Sequence, residues 1–121
     1  MNKKKVLFCS EASWLSTGYS VYTKEVLSRL KDVKDIEVAE LACYASMEDV
    51  KNHKTPWQVY PNKPLPNDPN FEHYNSSPSA QFGEQSFNHV LLHYQPDIVM
   101  DIRDWWMMEY QQRSPFRDFF H

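Results

Sequence analysis

The chain predicts an open α/β sheet of parallel strands, and three observations lead there. An apolar, β-prone run at Val6 to Cys9 is followed by a Ser-rich loop, then Gly18 and a segment of helical period. A second strand-like run, Ile36 to Tyr44, comes after a spacing that holds one helix, as a right-handed βαβ crossover requires. Near the other end, Asp97 to Ile102 (DIVMDI) is almost continuously apolar, the pattern of a strand covered on both faces. Such sheets bind ligands where the first strand ends and the first helix begins. That rule places the working site at Ser10 to Gly18.

Taken in order, the first strand is expected over about Lys4 to Cys9 and the first helix over about Gly18 to Lys31. Tyr19, Tyr22, Thr23, Val26, Leu30 and Val33 recur at helical spacing and form the expected inner stripe. Ser16 or Thr17 is placed to cap this helix, and its free N–H groups and dipole would favour a phosphate or carboxylate. Lys34-Asp35 turns the chain into the second strand, with Ile36, Val38, Leu41 and Cys43 as buried positions. Trp57 to Tyr60 is a short third strand.

Six of the 8 prolines then fall between Pro56 and Pro78. Proline lacks a donor and restricts its predecessor, so Pro61 to Ser79 reads as a long surface loop docked by Phe71 and Tyr74. A second helix is expected over Gln81 to Tyr94, with Phe87, Val90, Leu91 and Tyr94 inside. After the last strand, Asp104 is placed to cap a short helix at Trp105 to Gln112, and Ser114-Pro115 starts another turn. The expected sheet has about four strands in the order 3-2-1-4, in a single Rossmann-like domain over 1–121. The aromatic run Phe116, Phe119, Phe120 reaches His121 without a closing turn, which predicts an incomplete domain or one that docks a protein partner at 116–120.

Composition narrows the function. The balance of 13 Lys and Arg against 16 Asp and Glu argues against a nucleic-acid surface, and Lys3-Lys4-Lys5 reads as a solvated lead-in. No apolar run approaches the roughly 20 residues of a membrane span, so a cytoplasmic protein is expected. Cys9 and Cys43 lack CxxC spacing and read as buried free thiols. With only 2 glycines there is no GxGxxG fingerprint, and no Walker or nucleophile-elbow motif occurs. His89 and His93 stand four apart on a helix, but no third ligand accompanies them, so they are read as structural or surface histidines. Neither a metal nor a cofactor is expected.

The residues left to carry chemistry lie at the two strand ends. In the order 3-2-1-4, the loop holding Ser10, Ser16, Thr17 and Gly18 faces the turn holding Asp101, Arg103, Asp104 and Trp105 across the switch point. A guanidinium suits phosphate or carboxylate, carboxylates suit sugar hydroxyls, and tryptophans stack on a sugar or base. The alternative is an Arg103–Asp ion pair closing the strand end, with one of Trp105 and Trp106 in the core.

KVLFCSEASWLSTGYSVYTKEVLSRL resembles the opening of GT-B-type enzymes, the glycosyltransferase family 4-like group, through Gly18, Tyr19, Val26, Leu27 and Leu30. HYQPDIVMDIRDWW is similar to a later strand of that family through Pro96, Asp97, Ile98 and Val99. The departures are Thr17, where the family often has a second glycine, and the lack of a histidine at the family's N-domain catalytic position. The resemblance implies the N-terminal, acceptor-side half of a two-domain glycosyltransferase. It implies that the loop around Gly18 approaches the donor phosphate across a cleft. The nucleotide-sugar site would sit in a C-terminal half that these residues do not include. A nucleotide-sugar donor and an unknown acceptor are the expected small-molecule partners, and the domain alone is expected to be inactive. A non-catalytic α/β interaction module is the alternative.

Overall fold

A computed structural model describes residues 3–121 of the chain. The elements in order are β1 (Lys4–Glu11), α1 (Gly18–Leu30), β2 (Ile36–Cys43), α2 (Met47–Asn52), β3 (Gln58–Pro61), α3 (Phe71–Ser76), α4 (Pro78–Gln81), α5 (Glu84–Tyr94), β4 (Ile98–Asp101) and α6 (Glu109–Gln112). Short 3₁₀ turns cover Trp105–Met108 and Arg117–Phe119. The strands form one open, all-parallel sheet in the order β3-β2-β1-β4, as the sequence predicts.

The register explains why β1 is apolar from Val6 to Cys9. It pairs with β2 from Lys4↔Ile36 to Glu11↔Cys43, and with β4 from Val6↔Ile98 to Cys9↔Asp101. Val6, Phe8 and Val38 meet Leu27 of α1 on one face. Leu7, Cys9, Ala39 and Leu41 meet Phe87, Val90, Leu91 and Tyr94 of α5 on the other, together with Tyr110 and Phe120. A strand covered on both faces has no polar side to show. Cys9 and Cys43 are both buried and free, and burial pushes the Cys43 thiol up to about 12.

Several elements differ from expectation. In α1 the buried residues are Ser20, Thr23 and Leu27, with Val26 and Leu30 packed partly against them, while Tyr22 is 66% exposed. Small hydroxyl residues line the contact because their side chains bond locally: Thr23 Oγ1 donates to Tyr19 O at 2.9 Å. Thr23, Val26 and Leu30 of the expected stripe thus face the sheet, joined by Ser20 and Leu27, whereas Tyr22 and Val33 stay outside. The expected loop at Pro61 to Ser79 contains α3, whose Tyr74 is buried, and Ser77 caps α4 with Pro78 in its first turn. The helix expected from Gln81 is broken by Gly83, whose φ of 112° ends α4 and starts α5. Both Trp105 (78%) and Trp106 (55%) are exposed, so neither is in the core.

The aromatic segment at 116–120 is split. His121 N donates to Asp97 O at 3.1 Å and its carbonyl accepts from Val99 N at 2.6 Å, which lays this end along the free edge of β4. Phe120 is thereby buried against Phe87, whereas Phe119 stays 80% exposed. Among the described residues, no helix is long and apolar enough to cross a membrane.

Candidate functional site

The connection from β1 to β2 passes over one face of the sheet through α1. The chain reaches β4 by way of α5 on the other face, so the loops leaving β1 and β4 diverge and open a crevice at their carboxyl ends. That crevice has a volume of about 470 Å³ and is lined by Glu11, Thr17, Gly18, Tyr19, Tyr22 and Ile102.

Each wall follows from local structure. Thr17 has extended backbone and caps α1, its Oγ1 accepting from Ser20 N at 3.1 Å. The Thr17 hydroxyl also donates to the Glu11 carboxylate, which ends β1 directly below the start of the helix. The first turn of α1 contains no acid of its own, so Glu11 supplies the negative charge that the helix dipole favours there. Across the crevice, Tyr19 Oη donates to Asp104 Oδ1 at 2.9 Å, joining α1 to the turn after β4. This bond to Asp104 holds the Tyr19 phenol above its usual pKa. Gly18 leaves the floor open: a Cβ placed there meets nothing within 4 Å.

The residues singled out from the sequence separate into groups. Thr17 and Gly18 line the crevice and Asp104 is bonded to its Tyr19, while Trp105, next to Asp104 in the chain, is exposed and does not line it. Ser10 is turned inward, its hydroxyl donating to Ile102 O at 2.8 Å, and it ties the end of β1 to the exit of β4. Ser16 lines a different recess of about 420 Å³ with Trp14, Val21 and Lys24.

Asp101 and Arg103 lie in the interior instead of the crevice. Arg103 Nε and Nη2 contact Asp101 Oδ1 at 3.0 and 2.9 Å, with both side chains buried. Arg103 also donates to Tyr110 Oη at 2.6 Å and to Phe82 O, and its Nη1 lies 3.7 Å from Cys43 Sγ. Gln111 Nε2 donates to Asp101 Oδ1 at 2.9 Å. Burial pushes the Asp101 carboxyl upward against the pull of Arg103. Of the two readings the sequence allows for Arg103, the closing ion pair matches these contacts.

Three crevice residues lie outside the site that the sequence predicts. Glu11 reads as loop, although a carboxylate directly after an apolar strand is within reach of the next helix start. Tyr19 and Tyr22 read as core by their period. A further buried acid, Glu40 on β2, accepts from Ser13 Oγ at 2.7 Å, Ser13 N at 3.2 Å and Trp57 Nε1 at 3.0 Å. Burial raises its pKa, and its bonds to Ser13 shape the loop that delivers Thr17.

Chemically, the crevice is lined by one carboxylate, Glu11, which accepts from Thr17, and by two phenols around an uncluttered glycine, with a second carboxylate, Asp104, bonded to one of those phenols. Carboxylates accept from neutral hydroxyl groups and repel phosphate, so the arrangement suits a polyol better than an anion. Comparison with known protein families and with curated proteins finds no match.

Proposed function

We propose that the chain is the acceptor-side domain of a nucleotide-sugar-dependent glycosyltransferase of the GT-B kind. The β1/β4 crevice is its wall of the cleft in which sugar transfer takes place. The observation that carries this reading is the Glu11 carboxylate on the crevice wall beside Tyr19 and Tyr22, with Asp104 held next to the crevice by its bond from Tyr19. Carboxylates orient sugar hydroxyls, and aromatic faces pack on the apolar face of a pyranose. The resemblance around Gly18 and Tyr19 and the shared sheet order support the same assignment. In this reading Glu11 and Asp104 bind acceptor hydroxyls, Gly18 admits the acceptor close to the backbone, and a donor-binding domain supplies the nucleotide-sugar.

The test is a two-dimensional amide NMR titration of the chain with a panel of mono- and disaccharides and, separately, with nucleotide-sugars. The expected result is saturable movement of Thr17, Gly18 and Tyr19 by a saccharide at millimolar concentration, with little movement by nucleotide-sugars. Saturation of these amides by a nucleotide alone, or no movement by any saccharide, would overturn the proposal.

A second reading is favoured by the exposure of Phe119 (80%) and Leu92 (59%) around a recess of about 370 Å³. That patch fits a protein-docking module. A concentration-dependent sedimentation coefficient that Phe119→Ser abolishes would support it.

A further inference from the structure

We propose that a recess of about 380 Å³ between the β1–α1 loop, α1 and the segment joining α2 to β3 binds a small planar ring that carries an anionic group. The recess shares no lining residue with the β1/β4 crevice and is independent of the function proposed above.

Charge is the first observation. Lys24 enters from α1, and His53 and Lys54 from the end of α2. Among the described residues, no Asp or Glu lines the recess with them. The chain as a whole carries −3, so this hollow runs against its background. Among the described residues, neither lysine is held in an ion pair. Glu25, next to Lys24 in the chain, is turned to Arg29. Glu40 lies behind Ser13 and Trp57 and is only 1% exposed. Its oxygens accept from Ser13 Oγ, Ser13 N and Trp57 Nε1, which closes the carboxylate off from the recess. Two lysines brought to one hollow by separate elements repel each other, and its low-dielectric walls concentrate their field. An anion relieves that repulsion, whereas a cation is turned away. Lysine ammonium groups meet phosphate or carboxylate as point charges.

The second observation is the flat aromatic wall. Trp14 stacks on His53 with ring centroids 4.9 Å apart and 7° between the planes. Trp57 lines the same recess, its indole tied to Glu40 at 3.0 Å. Aromatic faces and edges of this kind favour another ring. The wall is set before a ligand arrives. His53 N donates to Asp49 O at 3.0 Å, and Thr55 Oγ1 donates to Trp57 O at 2.9 Å. A preformed wall spares the ligand the entropy of ordering it. The volume lies at the lower end of small-molecule sites, with room for one ring and its substituent.

The experiment titrates the full chain with phenyl phosphate, which joins a ring to an anion. Phenol, inorganic phosphate and benzylamine supply the ring alone, the anion alone and the ring with a cation. Amide and indole NMR signals are the readout. The expected result is saturable movement of the Trp14 and Trp57 indole N–H signals and of the His53 to Thr55 amides by phenyl phosphate, with Gly18 and Tyr19 unmoved. Phenol and phosphate should bind there about fivefold more weakly or less, and benzylamine not at all. Lys24→Gln and Lys54→Gln change exposed side chains, and each is expected to weaken phenyl phosphate about threefold, with about tenfold in the double variant. Added salt should weaken binding in the same direction. Each variant's own spectrum reports its folding. No saturable movement by phenyl phosphate, a control that binds as tightly as phenyl phosphate, or unchanged affinity in the double variant would overturn the inference.

Discussion

The two glycines serve opposite ends. Gly83 holds φ at 112°, and a Cβ there would lie 2.7 Å from Tyr110 Oη and 3.1 Å from Leu41 Cδ2. Gly83→Ala is expected to lose roughly 1–3 kcal/mol in urea unfolding, from backbone strain and from crowding of a packed phenol. Gly18 has neither constraint. Gly18→Ala should leave stability unchanged or raise it by up to about 1 kcal/mol, because alanine suits the start of a helix better. If the crevice binds a saccharide, the same variant should weaken that binding.

Glu40 sets a pH dependence. Burial raises its native pKa above the ordinary value of 4.5, so the folded protein keeps a proton that the unfolded chain has released. Its contribution to stability is full below that ordinary value and is lost as pH rises through the native pKa. Asp101, also raised by burial, acts in the same sense. Thermal unfolding should show a melting temperature that falls as pH rises above the ordinary carboxyl values, with a shallower fall in Glu40→Gln, which still accepts from Ser13 and Trp57.

At the scale of elements, α1 is the one that positions the crevice, and its cap is the testable part. Thr17→Ala removes the acceptor for Ser20 N and the donor to Glu11, and should cost about 1 kcal/mol by thermal melting, with Thr17→Ser restoring most of it. The existence of α1, its cap and its place between two strands were legible, because they depend on nearest neighbours and on period. Its buried face was legible in part: Thr23, Val26 and Leu30 of the predicted stripe turn inward, while Tyr22 and Val33 stay out. Ser20 joins the contact because its hydroxyl is satisfied at the helix cap, and a hydropathy pattern ranks it below Tyr22. In the proline-rich stretch, each proline forbids helix only locally. Ser77-Pro78 starts α4 within a segment whose composition reads as loop.

Across the whole molecule, Arg103 fastens parts that are distant in sequence. It joins the end of β4 through Asp101, the junction of α4 and α5 through Phe82 O, and α6 through Tyr110, beside Cys43 at the end of β2. Arg103→Met would strand the Asp101 carboxylate in the interior, and a loss of about 3–5 kcal/mol is expected in urea unfolding. Arg103→Met combined with Asp101→Asn should recover part of that loss, since the uncompensated charge is gone; a double-mutant cycle measures the coupling.

The parallel sheet, its strand order and the switch point between β1 and β4 could be read from the chain alone, because strand period, crossover spacing and chirality are properties of short segments and their neighbours. Thr17, Gly18 and Asp104 were within reach of the same reasoning. Long-range packing settled that Arg103 turns inward, that both Trp105 and Trp106 stay outside, and that Asn62 and Gln85 share a cavity wall. Each of those outcomes depends on which remote segment arrives beside a residue. Phe82, Tyr110 and Ala80 supply the partners, and no local pattern around Arg103 or Asn62 names them. At Ser10 to Gly18, local order placed the loop, while long-range packing chose which of its side chains face the crevice.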